Sequence, residues 1–287
     1  MKISIRMNKK SRFVFCICIM LCFAMLLVGC DDGGKRRPSS NDNDRFVPII
    51  GGNVQSNTSE TSDNKKTDGN YSKRVAITYD DGPHVTRTAK IVDELDKYGY
   101  HATFFVVGNR VDGREYAGGD AMQYAVRHGN EIGIHAYTHD YYYDTCNDSV
   151  YKSELSQTAA AIRAQVSGYN VRLMRPVGGR ITETQVKNSQ YSVIMWDVDS
   201  EDWRYKYSSD DSYGDKKEKV EKIVDNVMES VQDGSIILMH DIYESTYDAT
   251  VVLLERLHEE GYEVVTVSEL LGRDLCAGKS FSHATRT

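Results

Sequence analysis

Residues 75–83 read VAITYDDGP, a run of β-branched, apolar and aromatic residues that ends in two acids, a glycine and a proline. The run is typical of a buried strand, and Asp, Gly and Pro are typical of the turn after it. Outward from this stretch, the same alternation continues. Further strands are predicted at Ala102–Val107, Glu131–His135, Val171–Met174, Ser192–Val198, Ser235–Met239 and Glu263–Val267.

Amphipathic segments lie between these runs. Apolar residues at helical spacing predict helices at Ala89–Tyr98, Ala121–His128, Val150–Val166, Lys216–Val231 and Thr250–Glu260. A glycine follows closely after each of them, as expected for helix stops. Seven strands alternating with helices predict an α/β protein whose parallel sheet is barrel-like.

Polar clusters follow five of the predicted strands. They occupy residues 80–83, 135–139, 175–179, 199–203 and 240–241. In α/β barrels the carboxyl ends of the strands carry the catalytic groups. Each cluster alone has a simpler interpretation, such as a turn, a surface histidine pair or a buried histidine with a hydrogen-bond partner. Five clusters at one rim are difficult to explain by structure alone.

Taken together, these clusters resemble the polysaccharide deacetylases with a NodB homology domain, carbohydrate esterase family 4. The residues that carry the resemblance are Thr78–Pro83, His135 with His139, Arg175-Pro176, Asp199–Trp203 and Leu238–Asp241, in the family's order. The resemblance covers about residues 73–272 and implies a distorted (β/α)7-type barrel. It also implies a metal-dependent enzyme that removes acetyl groups from a glycan.

The resemblance assigns a role to each side chain at the rim. Asp81, His135 and His139 become the metal ligands, a set suited to Zn²⁺, with Co²⁺ or Ni²⁺ as alternatives. Asp80 becomes the general base and His240 the general acid that protonates the leaving nitrogen.

The remaining family positions imply supporting roles. Arg175 orients Asp80 and favours its charged form, and the backbone N–H of Gly178 helps to bind the oxyanion. An aspartate beside His240 favours the imidazolium; by resemblance this is Asp202, with Asp199 as the alternative. Trp203 and Leu238 form the pocket for the acetyl methyl group. The tyrosines at 137 and 141–143 either stack on sugar rings or pack within the protein.

Two positions depart from the family pattern. Ala136 stands where the family has a Ser or Thr that braces the loop, so a slightly looser loop with intact ligands is expected. The third motif reads Arg-Pro-Val-Gly-Gly, and Gly178 replaces a tyrosine that forms an aromatic wall of the substrate groove. The departure at Gly178 therefore bears on the substrate and not on the reaction type.

The N-terminus predicts export. A basic segment precedes the apolar run Phe13–Val28, which is short for a membrane span and typical of a signal peptide. Residues 27–30, LVGC, resemble a bacterial lipobox, so Cys30 is expected to be lipidated and to anchor the protein to the outer face of the cell membrane. A plain signal peptide or a short anchor is the alternative. Residues 31–72 are polar and predict a flexible tether, and residues 273–287 a C-terminal tail.

Composition excludes one class of partner. The chain carries a formal charge of -7, and without the five basic side chains of residues 1–30 the charge is -12. Such a chain lacks the basic surface that nucleic acid requires. Cys146 and Cys276, the two cysteines beyond residue 30, either pair or remain free thiols.

Three functions remain open at this point. The favoured one is deacetylation of N-acetylated cell-wall glycan, above all peptidoglycan N-acetylglucosamine. The second keeps the site but acts on chitooligosaccharide or acetylxylan. The third is a glycan-binding lipoprotein without catalysis, which the full set of catalytic side chains disfavours.

Overall fold

The structure is a computed structural model that describes residues 73–113 and 118–285. Cys30, the predicted signal peptide (1–30) and the predicted tether (31–72) lie outside the described residues. Among the residues described, no helix is both long and apolar enough to cross a membrane.

A nine-stranded sheet forms the centre of the fold, and its strands pair in parallel. The strands are β1 (Lys73–Asp80), β2 (Thr103–Val107), β3 (Glu131–Ala136), β4 (Leu173–Met174), β5 (Ser192–Ile194), β6 (Val198–Asp199), β7 (Ile236–His240), β8 (Tyr262–Val264) and β9 (Ser280–Phe281). Their order is β6-β7-β1-β2-β3-β4-β5-β9, and β8 pairs with the first residues of β1.

Eight α-helices accompany the strands in the described part of the chain. They are α1 (Arg87–Asp96), α2 (Gly108–Val111), α3 (Gly119–Arg127), α4 (Asp148–Gln165), α5 (Glu183–Lys187), α6 (Tyr213–Met228), α7 (Glu244–Glu259) and α8 (Val267–Leu271). Reciprocal Ser or Thr caps begin three of them; Ser212 and Asp215, for example, start α6 three residues earlier than apolar spacing predicts.

The sheet curls strongly, as the step from β5 to β6 shows. These strands stand near opposite ends of the sheet order, yet only residues 195–197 separate them. A chain that short spans at most about 14 Å between Ile194 and Val198. The two sides of the sheet therefore approach each other, and the predicted distorted barrel of parallel strands is confirmed.

Alternation along the strands divides the side chains into an outer and an inner set. On β1, Val75, Ile77 and Tyr79 belong to the large cluster that includes the helices. Ala76 belongs to a second cluster, which contains residues from five strands together with part of α8. Asp80 is four residues after Ala76, so its side chain points to the same side of the sheet. This row of side chains therefore begins with the apolar Ala76 and ends with the carboxylate of Asp80 at the rim.

The C-terminal part differs from the predicted elements in two ways. Strand β8 ends at Val264, not Val267, because Thr266 caps α8 by accepting a hydrogen bond from the backbone of Glu269. Beyond residue 272, where the sequence places the domain boundary, Ser280–Phe281 adds the edge strand β9 to β5.

A short C-terminal clasp follows β9. His283 forms a bridge with Ser235 at the start of β7, and its Nδ1 lies 2.8 Å from Oδ2 of Asp197. Asp197 also accepts hydrogen bonds from the hydroxyl of Ser235 and the backbone N–H of Ile236. The clasp therefore fixes the three-residue step between β5 and β6. Cys146 and Cys276 are both free thiols.

Candidate active site

One carboxylate and two imidazoles converge at the rim. Oδ1 of Asp81 lies 3.4 Å from Nε2 of His135 and 3.0 Å from Nε2 of His139. Asp81 and His139 have φ angles of 71° and 70°, which non-glycine residues rarely adopt. Such strained residues concentrate at functional sites, where surrounding structure holds them in place.

The tautomer of His135 is set by its second nitrogen. Nδ1 lies 2.9 Å from the carbonyl oxygen of Arg175 and donates its proton there, so Nε2 keeps a lone pair directed at Asp81. His135 is almost fully buried, and its own carbonyl accepts a hydrogen bond from the hydroxyl of Tyr143. The ring is therefore fixed from both sides.

The loop that connects His135 to His139 is held by α4. Oε2 of Glu154 accepts the backbone N–H groups of Tyr137 (2.8 Å) and Thr138 (2.9 Å). Thr158 donates its hydroxyl hydrogen to the carbonyl of Ala136. The looser loop expected from Ala136 is therefore not found, because a buried carboxylate and a threonine from another element supply the brace.

These three side chains fit a divalent cation. Their ligand atoms lie within 4.8 Å of one another, and Oδ1 of Asp81 is buried without a well-aligned hydrogen-bond donor. Burial alone raises the pKa of Asp81, but positive charge on the neighbouring His135 and His139 outweighs it and holds that pKa well below its usual range, so the position favours a carboxylate with a cation beside it. Two imidazoles and one carboxylate that face one point form a ligand set suited to a divalent metal ion.

Asp80 lies beside this group and is held by Arg175. The Nη1 of Arg175 is 2.9 Å from Oδ1 of Asp80 and 2.6 Å from the hydroxyl of Thr78. Arg175 is fully buried, and its guanidinium also contacts the rings of Phe105 and Trp196. Burial lowers the pKa of Arg175 while Asp80 raises it. The pair thus fixes the Asp80 carboxylate in one orientation.

His240 stands next to Asp80 on the neighbouring strand, since the two Cα atoms are register partners of β1 and β7. Asp202 accepts the His240 Nδ1 proton at 2.7 Å and the His240 backbone N–H at 2.7 Å, and the hydroxyl of Thr246 at 2.6 Å. Burial lowers the pKa of His240, but Asp202 outweighs it and raises the value to about 9. His240 is therefore a positively charged imidazolium at neutral pH.

Asp199, the alternative partner, makes a different contact. Its Oδ1 accepts the backbone N–H of Glu201 at 2.8 Å, and burial raises the pKa of its carboxyl group. The left-handed backbone of Glu201, with φ of 54°, turns the chain so that Asp202 faces His240.

The three predicted substrate-side residues lie within three positions of Arg175, Asp202 or His240 in the sequence. Gly178 lies in a short 3-10 turn (Val177–Gly179) directly after the Arg175 strand end, with φ of 59°. Leu238 is buried on β7 two residues before His240, whereas Trp203 is 43% exposed beside Arg204. Cys30, the predicted lipidation site, lies outside the described residues.

Sequence reasoning gave no role to two buried groups, Thr246 and Asp241, although Asp241 belongs to the fifth motif. Thr246 completes the hydrogen bonds of Asp202, and its position on α7 shortly after the fifth motif is a signal only once that helix is placed. Asp241 is fully buried, accepts a hydrogen bond from Thr88, and closely approaches Gly82. A Cβ at Gly82 would lie 2.3 Å from Oδ1 of Asp241, which explains the glycine after Asp81.

Comparisons with known proteins agree with this geometry. Residues 67–192 match the family described as polysaccharide deacetylase. The chain is 37% identical over 198 residues to the peptidoglycan-N-acetylmuramic acid deacetylase PdaC of Bacillus subtilis, covering 69% of this chain and 38% of PdaC. It is 30% identical over 213 residues to the peptidoglycan-N-acetylglucosamine deacetylase PgdA of Listeria monocytogenes, covering 74% of this chain and 42% of PgdA.

Solved structures show the same fold. The structure of Bacillus subtilis PdaC superposes with a TM-score of 0.61 at 35% identity, covering 71% of this chain and 91% of that one. A family 4 acetyl xylan esterase from Clostridium thermocellum, solved with a cobalt ion, gives a TM-score of 0.62 at 27% identity over 75% of this chain and all of the other. The chain spans about two fifths of the length of PdaC and PgdA.

Proposed function

This chain belongs to the polysaccharide deacetylase family, and we propose from that premise that it hydrolyses acetyl groups from an N-acetylated glycan, foremost peptidoglycan N-acetylglucosamine. The observation that carries the proposal is the convergence of Asp81, His135 and His139 beside the Arg175-held Asp80 and the protonated His240. A set of metal ligands, a candidate general base and a candidate general acid thus lie at one rim of the barrel. Metal-assisted hydrolysis of an amide uses these three kinds of group.

In the proposed reaction, Asp81, His135 and His139 hold a divalent metal, with Zn²⁺ favoured and Co²⁺ or Ni²⁺ as alternatives. A metal bound there polarises the acetyl carbonyl and makes water easier to deprotonate. Asp80, oriented by Arg175, accepts a proton from the attacking water. The Gly178 N–H donates to the oxygen of the tetrahedral adduct; one such donor is worth about 10²–10³ in rate.

The second half of the reaction belongs to His240. Because Asp202 holds its proton up to about pH 9, His240 can donate that proton to the amide nitrogen as the C–N bond breaks. The products are acetate and a free amine on the sugar. Leu238 and Trp203 would enclose the methyl group of the acetyl.

The substrate assignment is supported by the names of PdaC and PgdA, both peptidoglycan deacetylases. A second candidate class is chitooligosaccharide or acetylxylan, supported by the similarity to a chitooligosaccharide deacetylase and to the acetyl xylan esterase. Gly178, which lacks an aromatic side chain, leaves the groove compatible with either class.

The proposed location follows from the N-terminal sequence. The basic segment, the apolar run Phe13–Val28 and the Cys30 lipobox support export and lipid anchoring to the outer face of the membrane. An enzyme anchored there would stand beside nascent cell wall.

Acetate release from peptidoglycan, N-acetylglucosamine oligomers and acetylxylan tests the proposal. We expect release from peptidoglycan that a chelator abolishes and added Zn²⁺ restores, while Asp80→Asn loses at least about 10²-fold in kcat and still binds metal. The matched control is Asp120→Asn, an exposed acid in the first turn of α3. No acetate from any of the three glycans, or metal loss in Asp80→Asn, would contradict the proposal.

A further inference from the structure

Four tyrosines lie in the segment around His139, and the structure separates them by burial. Tyr137 and Tyr143 are buried, and their hydroxyls donate to Asp112 and to the carbonyl of His135. These two are structural. Tyr141 and Tyr142 are 43% and 46% exposed, although they follow a metal-ligand candidate by two and three residues.

The ring of Tyr142 lies against Gly178. A Cβ built at Gly178 would be 3.2 Å from Cε1 of Tyr142, closer than an ordinary van der Waals contact. The tyrosine that the third motif lacks at position 178 is therefore matched by a ring that reaches the same place from the loop after β3. Gly178 and Tyr142 are complementary, because a side chain at 178 would displace the ring.

Further contacts hold the ring in place. The guanidinium carbon of Arg180 lies 4.4 Å from the ring centroid of Tyr142, and Nε of Arg180 donates to Asp144 at 3.0 Å. The backbone is also fixed, since the carbonyl of Tyr142 accepts the N–H groups of Thr145 and Cys146. Arg180 covers one face of the ring, while the residue as a whole stays half exposed.

The surroundings of the Tyr142 ring suit a sugar as ligand. Tyr142 borders a groove of about 330 Å³. Its remaining lining residues are mostly polar: Asp140, Tyr141, Thr145, Cys146, Asn147 and Val150. A pyranose has an apolar C–H face that packs on an aromatic ring and hydroxyls that need polar partners, which this groove supplies.

We propose that Tyr142 determines glycan binding by stacking on the sugar unit adjacent to the one that carries the acetyl group, in place of the aromatic wall lost at Gly178. The inference rests on the proposed function, since it takes the same glycan as ligand. A pre-ordered ring loses little conformational entropy on binding, so it contributes effectively to affinity.

Binding measured without turnover separates this inference from the proposed function. An N-acetylglucosamine tetramer is titrated calorimetrically into the full chain carrying Asp80→Asn and loaded with Zn²⁺. Adding Tyr142→Ala should raise the Kd about tenfold, whereas adding Tyr142→Phe should change the Kd by no more than about twofold. The control is Tyr213→Ala, a tyrosine 86% exposed on α6, which should leave the Kd unchanged.

Kinetics supply the second readout. In the otherwise unaltered enzyme, Tyr142→Ala should raise KM for the tetramer about tenfold and leave kcat/KM for p-nitrophenyl acetate, which has no sugar, within about twofold. Equal Kd values with and without Tyr142, or equal losses on both substrates, would overturn the inference. Absence of acetate release with an intact Kd difference would count against the proposed function alone.

Discussion

The site contains two aspartate–histidine groups that differ in how their carboxylates are satisfied. Both oxygens of Asp202 accept short hydrogen bonds, from Thr246 and twice from His240, and the residue has no exposed surface. Oδ1 of Asp81 faces two imidazole nitrogens at 3.0 and 3.4 Å without a well-aligned donor. The first group is complete within the protein, whereas the second needs a further partner.

This difference shows how one rim separates two functions of the same residue types. A saturated carboxylate fixes a proton on its histidine, as the raised pKa of His240 shows. A carboxylate whose oxygen shares a point with two nitrogen lone pairs repels those lone pairs unless a cation lies between them. The group that accepts the Nδ1 proton of each histidine, a backbone carbonyl for His135 and a carboxylate for His240, distinguishes the two histidines.

The largest effect is expected in the Asp81 group, whose carboxylate oxygen lacks a well-aligned hydrogen-bond donor. His135→Ala removes a ligand that has one orientation, so we expect loss of bound metal and a fall in acetate release of at least roughly 10³-fold. Metal content after dialysis and the acetate assay measure the two effects. His128→Ala, at a partly exposed histidine that directly follows α3, is the control. Retention of a full equivalent of metal by His135→Ala would contradict the proposal that the Asp81 group, unlike the Asp202 group, binds a metal.

On the saturated side, Asp202→Asn should act on proton transfer without removing metal. Without the carboxylate, burial lowers the pKa of His240, so the alkaline limb of kcat should move from about pH 9 to lower pH. At pH 8 the rate should fall about 10²-fold. Asp199→Asn, at the aspartate that contacts Glu201 instead, should shift the limb much less.

The same variant has a stability signature with a defined sign. Because folding raises the pKa of His240 from 6.5 to about 9, the pair stabilises the fold fully below pH 6.5, and this contribution is lost as the pH rises through 9. Urea unfolding of Asp202→Asn should therefore show its greatest deficit at pH 6 and a small one at pH 10. An equal deficit at both values would show that the pair does not hold the proton.

The smallest expected effect concerns the hydrogen bonds that Asp202 accepts. Thr246→Val removes one of three donors from the buried Asp202, so the free energy of unfolding should fall by about 1–3 kcal/mol. Ser245→Ala is a matched neighbour, because the Ser245 hydroxyl is buried with no hydrogen-bond partner among the described residues. Its unfolding free energy should change by less than about 0.5 kcal/mol. Urea midpoints compare the two, and equal losses would remove the distinction.

Much of this site could be predicted because it obeys strand periodicity. Asp80, His135 and His240 lie at strand ends whose inward parity follows from a period of two, and the barrel brings those ends together. The family resemblance added roles to these positions. The fold class and the family were both predicted correctly from the alternation of strands and the order of the motifs.

What could not be predicted depends on tertiary packing. The resemblance favoured Asp202 over Asp199, but the physical reason, a left-handed turn at Glu201, is one that no local pattern specifies. The brace from Glu154 and the ring of Tyr142 against Gly178 join elements that are distant or irregular in sequence. The division of the predicted strand Ser192–Val198 reflects the step across the barrel, where Arg175 binds the carbonyls of Ile194 and Met195.

The residues of the C-terminal clasp are synthesised last, which determines when the barrel can be completed. Strand β5 gains its second neighbour only from Ser280–Phe281, and Asp197 gains its last partner only from His283. During translation, a chain that has reached residue 272 already contains every proposed catalytic group but leaves an unpaired strand edge, which invites association with other chains. Completion of the barrel therefore waits for residues that are made after all of the proposed site residues.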